Sequence, residues 1–316
     1  DDNAIGCSVF YRDLDLDQVL PVARQAMGDG EPSALFELVL ARRLASSTEA
    51  AAATLARASG YLRQAADAHE AGCRISRADA RTLGDQLAFS FWFGNDGPTF
   101  TALDERIAAL EAAARALGRH PTHSSPRLAA LRASTGRRTL VFTEYRATAR
   151  ALRAALGTTA AAITGDGAEV AGGTIPAREA IRRFRRDDAW ALHVLILTPV
   201  ATEGLDLPAD VVVHYDVPWS DARMAQRRGR ALRLGDVRTV HELVLLPPAA
   251  LDERIRALES LTRKRALATW GAAPALVARW AVVSRSIGVR SDAVDTAERG
   301  LGERDGWSSA GAGFYH

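Results

Sequence analysis

The chain has 316 residues, of which 47% are hydrophobic and 25% charged, and its formal net charge is +2. This globular composition excludes a collagen, a disordered acidic tail and a disulfide-rich miniprotein, and the length predicts about two domains. No apolar run reaches the roughly 18 residues of a membrane helix, and the start Asp-Asp-Asn predicts no signal peptide. Cys7 and Cys73 form no disulfide framework, which favours a reducing setting. Abundant Ala and Arg are typical of a GC-rich genome, and the bacterial cytoplasm is the predicted location.

The first 130 residues are predicted to be α-helical. Ser46 followed three residues later by Glu49 indicates a helix start. Apolar side chains recur at helical spacing up to about residue 71 and again over 101–117, and this spacing places Arg57 on the solvent side. Helical packing is therefore the predicted role of this region.

The segment 119–137 is predicted to be a linker or surface loop. Gly, Pro, His, Ser and Arg follow one another there without periodicity. His120 and His123 lie within this segment, and two histidines are too few for a metal site. No metal site is predicted.

The character of the sequence changes at Arg137. Short apolar runs predict strands, and amphipathic stretches between them predict helices. The strands are 139–143, 160–164, 193–198, 210–215 and 240–246, and the helices are 147–156, 176–186, 221–232 and 251–267. This alternation is typical of a parallel sheet with crossover helices, and the continuous apolar strands predict a sheet covered on both faces.

An arginine-rich helix carries the highest local charge. Between Arg223 and Arg238 there are six arginines and one aspartate, a local charge of +5. Arg230 and Arg233 are three residues apart and point from one helix face. Two guanidinium groups on one face can fork around the oxygens of a phosphate. A solvated basic helix is the alternative interpretation.

A glycine-containing loop, Thr198-Pro-Val-Ala-Thr-Glu-Gly-Leu-Asp-Leu207, follows the predicted strand 193–198. It places backbone N–H groups and a carboxylate at the carboxyl edge of the sheet, where open α/β sheets bind ligands. Thr198 is suited to donate to a phosphate, and Asp206 to accept from a sugar hydroxyl. Trp219 precedes the arginine-rich helix and is also compatible with a packing role.

In this order and spacing, residues from about 137 to 267 resemble the C-terminal RecA-like lobe of superfamily 2 helicases. Thr139-Leu-Val-Phe-Thr-Glu-Tyr145 resembles motif IV, Ala201-Thr-Glu-Gly-Leu-Asp-Leu207 resembles motif V, and Gln226-Arg-Arg-Gly-Arg-Ala-Leu-Arg233 resembles motif VI. The segment Tyr215-Asp-Val-Pro-Trp219 is similar to that of the Swi/Snf-type DNA translocases.

The resemblance implies an α/β fold, with a RecA-like parallel sheet that carries helices on both faces and follows an α-helical region. The implied divisions are a helical inter-lobe insertion over 1–130, the helicase C-terminal lobe over 131–268 and a C-terminal extension over 269–316.

The resemblance also implies an enzyme in which ATP and Mg²⁺ lie between two lobes, with Mg²⁺ held mainly by lobe 1. Arg230 and Arg233 are then arginine fingers, and Gln226 couples nucleotide to nucleic acid. The implied nucleotide-binding residues are Glu203, Gly204 and Asp206. The implied DNA-binding residues are Thr143, Arg146, Thr198, Thr202 and Trp219. The implied partners are double-stranded DNA and lobe 1 of the same or another polypeptide, without a membrane.

The lobe 1 motifs are missing from this sequence. Lys264 is the only lysine and lies in Leu-Thr-Arg-Lys-Arg, so there is no Gly-Lys-Ser/Thr phosphate loop. We expect the chain alone to hydrolyse ATP negligibly, as a fragment of a longer enzyme or as half of a split one. Its favoured function is lobe 2 of an ATP-dependent DNA translocase. An ATP-independent nucleic-acid-binding module and a protein-interaction scaffold are the alternatives.

Overall fold

A computed structural model describes residues 19–21, 31–72, 103–119, 125–199, 207–231, 240–256 and 281–283, except 136, 166, 189, 219, 246 and 248. These residues fall into two compact units, a helical one up to Arg119 and an α/β one from Ser125 onwards. Among them, no helix combines the length and apolarity that crossing a membrane requires.

The helical unit contains α1 (Glu31–Ser46), α2 (Thr48–Glu70) and α3 (Leu103–Gly118). Its core is made by apolar side chains at helical spacing, among them Leu55 and Leu62 of α2 and Leu110 of α3, which are fully buried. The predicted helical packing is therefore confirmed over the described helices.

Two details of this unit differ from the prediction. The N-cap of α2 is Ser47, whose hydroxyl oxygen accepts the Ala50 N–H at 3.0 Å, whereas Ser46 ends α1. The prediction was one residue early because consecutive serines offer the same capping chemistry. Arg57, predicted to face water, is partly buried, and burial lowers the pKa of its guanidinium group.

The α/β unit contains eight described strands and five α-helices. In chain order they are α4 (Pro126–Ser134), β1 (Thr139–Phe142), α5 (Arg146–Leu156), β2 (Ala160–Thr164), β3 (Gly167–Val170), β4 (Gly173–Ile175), α6 (Ala177–Phe184), β5 (Val194–Leu197), β6 (Val211–His214), α7 (Asp221–Ala231), β7 (His241–Leu245), α8 (Ala249–Ile255) and β8 (Ala281–Val283).

The strands form one sheet in the order β4-β3-β2-β5-β1-β6-β7-β8. Six neighbouring strands, β2, β5, β1, β6, β7 and β8, run parallel to one another, which confirms the predicted RecA-like α/β fold. At one edge, however, β3 and β4 are antiparallel. This hairpin was not predicted, because its strands are short and weakly apolar, with a turn that contains Gly172 at φ 97°.

The sheet is covered on both faces, as predicted, because neighbouring side chains of each strand point to opposite sides. On one face Val141 and Val213 pack with apolar residues of α4 and α5. On the other face Leu140 and Phe142 pack with residues of α6 and α7. The central strand β1 is thus buried from both sides.

The prediction of a linker over 119–137 is wrong for the part that forms α4. Ser125 caps this helix by accepting the Leu128 N–H at 3.2 Å, and Pro126 occupies its first turn. Leu128 and Leu131 are fully buried against the sheet. The helix is only nine residues long, too short to show periodicity, and the Ser-Pro start was the available signal. The two units divide between residues 121 and 122.

Candidate functional site

The carboxyl ends of four parallel strands lie side by side. The Thr143 N–H donates to the Leu197 carbonyl at 3.1 Å, and the Tyr215 N–H donates to the Phe142 carbonyl at 2.9 Å. The Thr198 N–H donates to the carbonyl of Ile163 in β2 at 3.3 Å. Residues that follow β1, β2, β5 and β6 therefore meet at one edge, which we call the carboxyl edge.

Thr143 and Thr198 both reach the carboxyl edge, but their hydroxyl groups point into the domain. Thr143 is 0% and Thr198 2% exposed. The Thr143 hydroxyl donates to Asp216 Oδ2 at 2.6 Å, and the Thr198 hydroxyl donates to the Ile163 carbonyl at 3.4 Å. Their role as phosphate contacts stays a prediction. Arg146, by contrast, is exposed at the start of α5.

The helix α7 has an inward stripe and an open side. Met224, Arg227 and Ala231 are buried at helical spacing. Gln226 is exposed and Arg230 partly exposed, one turn apart on the open side. The Arg230 carbonyl accepts the Leu207 N–H at 2.8 Å, so the end of the predicted motif V segment is bonded to the predicted motif VI helix.

Three arginines of α7 pair with acids in or next to the sheet. Arg223 lies 3.3 Å from Glu144, two residues beyond β1, and Arg227 donates to the same carboxylate. Arg228 donates to Glu242 Oε2 of β7 at 3.1 Å. The positive charge of this helix is therefore largely offset from within the domain, and the open side is less basic than the sequence predicts.

A buried histidine–glutamate pair lies beneath α7. His214 is 0% and Glu242 1% exposed, and His214 Nε2 is 2.8 Å from Glu242 Oε1. Arg227 Nη1 lies 3.4 Å from His214 Nδ1. Arginine can only donate, so Nδ1 accepts and Nε2 carries the proton that Glu242 receives. Burial lowers the pKa of His214 and so favours this neutral form, despite the opposing effect of Glu242.

Asp216 joins the ends of β1 and β6. Its Oδ2 accepts the Thr143 hydroxyl and, at 2.8 Å, the Glu144 N–H. Arg127 of α4 lies 3.9 Å from Asp216 Oδ1 and 4.1 Å over the centre of the Tyr215 ring. No role was predicted for Glu144, Asp216, His214 or Glu242. For Glu144 and Asp216, the available signal was an acid directly after a predicted strand.

The remaining predicted site residues lie outside the described residues. They are Thr202, Glu203, Gly204, Asp206, Trp219 and Arg233. The pairing of Arg230 with Arg233 on one helix face therefore stays a prediction. Within the described ranges, no group of three or more His, Cys, Asp or Glu side chains is arranged to hold a metal ion.

Residues 125–235 match the helicase conserved C-terminal domain. The chain is 38% identical over 92 residues to the ATP-dependent RNA helicase DBP8 of Eremothecium gossypii, which covers 29% of this chain and 20% of that protein. It is 31% identical over 124 residues to the uncharacterized ATP-dependent helicase YqhH of Bacillus subtilis, covering 37% of this chain and 20% of the relative. A match to the ATP-dependent RNA helicase ROK1 of Meyerozyma guilliermondii is 45% identical over 58 residues, 18% of this chain and 10% of that protein.

The chain therefore contains a helicase C-terminal domain, the class that its fold and motif order predicted. It spans about a fifth of the length of the first two relatives. The matched residues include α4 at their beginning and the predicted motif VI at their end.

Proposed function

We propose that this domain works as lobe 2 of an ATP-dependent motor that moves along double-stranded DNA. The observation that carries the proposal is the two-sided arrangement of α7. Arg223, Arg227 and Arg228 pair with Glu144 and Glu242, while Gln226 and Arg230 lie on the side of the helix away from the buried stripe. A DNA-binding surface alone does not require that arginines of one helix be divided in this way.

The open side of α7 has donor chemistry that fits a nucleotide. A guanidinium group presents a planar fork of N–H donors that matches phosphate oxygens. When ATP is bound between the lobes, it supplies the phosphoryl group that is transferred to water. Arg230 would donate to the oxygens of that group and stabilise the charge that develops on them. Arg233, Glu203, Gly204 and Asp206 would complete the nucleotide edge, and Mg²⁺ would be held mainly by lobe 1.

The DNA backbone is proposed to lie along the carboxyl edge, beside Arg146, Thr202 and Trp219. Contacts to phosphates position a protein without reading base sequence, as a translocating motor requires. The hydroxyl groups of Thr143 and Thr198 would contribute only after leaving their present partners within the domain. The resemblance of 215–219 to Swi/Snf-type translocases is the reason for choosing duplex DNA.

RNA is the second candidate track, because two of the relatives are named RNA helicases. Fluorescence anisotropy of the full chain, with duplex DNA and duplex RNA of one sequence at about 50 and 200 mM salt, separates the two. Each neutralised phosphate contributes about −0.9 to the slope of log affinity against log salt on DNA. We expect the affinity for duplex DNA to fall steeply as the salt concentration rises. Tighter binding to RNA than to DNA would make RNA the proposed track in place of DNA.

Arg146→Ala should reduce the magnitude of that salt slope by about 0.9 if the arginine contacts one phosphate. Arg178→Ala on α6 is the matched control, since it removes another exposed arginine of the same unit. Equal slopes for the wild-type chain and Arg146→Ala would exclude Arg146 from the track.

ATP hydrolysis tests the assignment of Arg230. We expect negligible turnover by this chain alone and nucleic-acid-stimulated turnover once the polypeptide that carries the phosphate loop is added. Arg230→Ala should lower that kcat by roughly 1,000-fold, as expected for an arginine finger, whereas Arg178→Ala should not. Turnover by the pure chain that Arg230→Ala abolishes would contradict the two-lobe proposal, and binding without any rescued turnover would favour the binding-module alternative.

A further inference from the structure

We infer that Glu144 is a positioning residue that ties the carboxyl edge to α7 and so sets where Arg230 stands. This inference rests on the proposed function of the domain as lobe 2 and deepens it. Glu144 does not belong to the arginine-rich motif and has no proposed contact with ATP or DNA. Its effect would be exerted through the helix that it holds.

The Glu144 carboxylate pairs with two arginines that are one helical turn apart on α7. Arg223 Nη1 lies 3.3 Å from each of its two oxygens, and Arg227 Nη2 donates to Oε1 at 2.5 Å. Its backbone N–H is fixed in turn by Asp216 at 2.8 Å. One side chain, held at its own backbone, therefore binds two successive turns of α7.

Arg227 makes this contact essential for the packing of α7. It occupies the inward stripe between Met224 and Ala231, where an apolar residue is the usual occupant, and is 8% exposed. Its guanidinium carbon lies 5.3 Å from the centre of the Phe142 ring. Burying a cation is strongly unfavourable unless it is paired and hydrogen-bonded. Removing the Glu144 carboxylate would take from this buried cation the acid that it is hydrogen-bonded to, so the packing of α7 against β1 depends on Glu144.

A second contact holds α7 from the other side. β6 pairs with β1 along one edge and with β7 along the other. Glu144 follows β1, whereas Glu242, which receives Arg228, belongs to β7. The helix is thus bonded to the strands on both sides of β6, and this restricts both sliding and rolling. Glu144 is the one of these two acids that lies next to the proposed DNA track.

The position of Arg230 follows from these two contacts. It is two residues beyond Arg228 on the same helix, and its carbonyl is bonded to Leu207. Misplacing a reacting group by about 1 Å can lower a rate about 100-fold. Because Glu144 lies between Thr143 and Arg146 at the proposed track, a shift of that loop would be transmitted to Arg230 through the Glu144 carboxylate and its two arginines.

The first test is backbone hydrogen exchange of the full chain carrying Glu144→Gln, which keeps the shape and removes the charge. We expect the amides of α7 to exchange about 10-fold faster, because local opening becomes easier, and those of β5 to be unchanged. The matched control is Glu179→Gln on α6, an acid that also pairs with two arginines, and it should leave α7 unchanged. Unchanged exchange of α7 in Glu144→Gln would overturn the inference.

A double variant shows whether Glu144 acts through Arg227. The exchange of α7 in Glu144→Gln/Arg227→Gln should be no faster than in the more affected single variant, because each substitution already breaks the Glu144–Arg227 contact. If the increases in exchange rate caused by the two substitutions multiply in the double variant, Glu144 does not act through Arg227, and the assignment of Glu144 to this contact is overturned.

The second test uses the two-lobe enzyme. Glu144→Gln should lower kcat about 10- to 100-fold through misplacement of Arg230, leave the KM for ATP within about twofold, and leave DNA affinity unaltered. If Arg230→Ala inactivates the enzyme and Glu144→Gln does not, the inference fails while the proposed function stands. If Arg230→Ala has no effect on turnover, the proposed function fails, and hydrogen exchange alone decides whether Glu144 positions α7.

Discussion

Two arginine-rich helices on the same face of the sheet, α6 and α7, pair their charges in opposite ways. In α6, Glu179 pairs with Arg182 and Arg183 of the same helix, at spacings of three and four residues. In α7, the partner of Arg227 is Glu144, in the loop that follows β1, and the partner of Arg228 is Glu242 of β7. Both helices contribute apolar residues to one core cluster.

The difference shows that the function of an arginine depends on where its acid lies. A pair within an exposed helix contributes little and is screened by salt. A pair that is buried between a helix and a strand resists separation, because breaking it leaves a charge without water. In this domain, the acid that pairs with the arginines of α6 belongs to α6 itself, whereas the arginines of α7 depend on acids outside their helix for their position.

The largest effect is expected from Glu242→Leu. It removes a carboxylate that is 1% exposed and leaves His214 and Arg228 without their common partner. The free energy of unfolding should fall by about 3 kcal/mol, in the range for breaking a buried pair. Urea unfolding followed by circular dichroism measures it, with Glu179→Leu, a partly exposed acid of α6, as the control. A loss below about 1 kcal/mol would contradict the distinction between the two helices.

An intermediate effect is expected from pH. Burial lowers the pKa of His214 in the folded domain, so the unfolded chain binds its proton first as the pH falls. Protons bound only by the unfolded chain favour unfolding, so stability is full above pH about 6.5 and declines below it. Urea unfolding of the wild-type chain between pH 7.5 and 5.5 should show a progressive loss of stability as the pH falls.

The control for the pH effect is a pair of histidine variants. His214→Gln keeps a donor for Glu242 and should remove this part of the pH dependence. His193→Gln, at an exposed position, should retain it. Identical profiles for the wild-type chain and His214→Gln would show that another group is responsible.

The smallest effect is expected from Glu179→Gln. Its two arginine partners on α6 remain hydrated, so the unfolding midpoint should hardly move. The pKa of Glu179 is lowered, mainly by its hydrogen bond from Arg183, and any stabilisation from this pair is lost as the pH falls through that pKa. About 1 M salt should abolish the remaining difference from wild type. A loss as large as that of Glu242→Leu would remove the basis of the comparison.

The sequence predicts the parts of this domain that depend on local pattern. Periodicity locates β1, β5 and β6, and motif order brings Gln226 and Arg230 to attention. It misses α4, which is too short for periodicity, and the β3–β4 hairpin, which is weakly apolar. It also misses Glu144, because 83 residues separate this acid from Arg227 and only the parallel pairing of β1 with β6 brings them together.

The central place of β1 has a consequence for synthesis of the chain. β1 is the first strand of the sheet to be made among those described, yet it pairs with β5 and β6 and with no strand made directly after it. Until β5 has left the ribosome, the backbone N–H and C=O groups of this strand, which is fully buried in the folded domain, have no native partner. An emerging chain with such a strand is open to aggregation and to chaperones. Ribosome pauses between β1 and β5 should therefore lower the yield of folded domain more than pauses after β6.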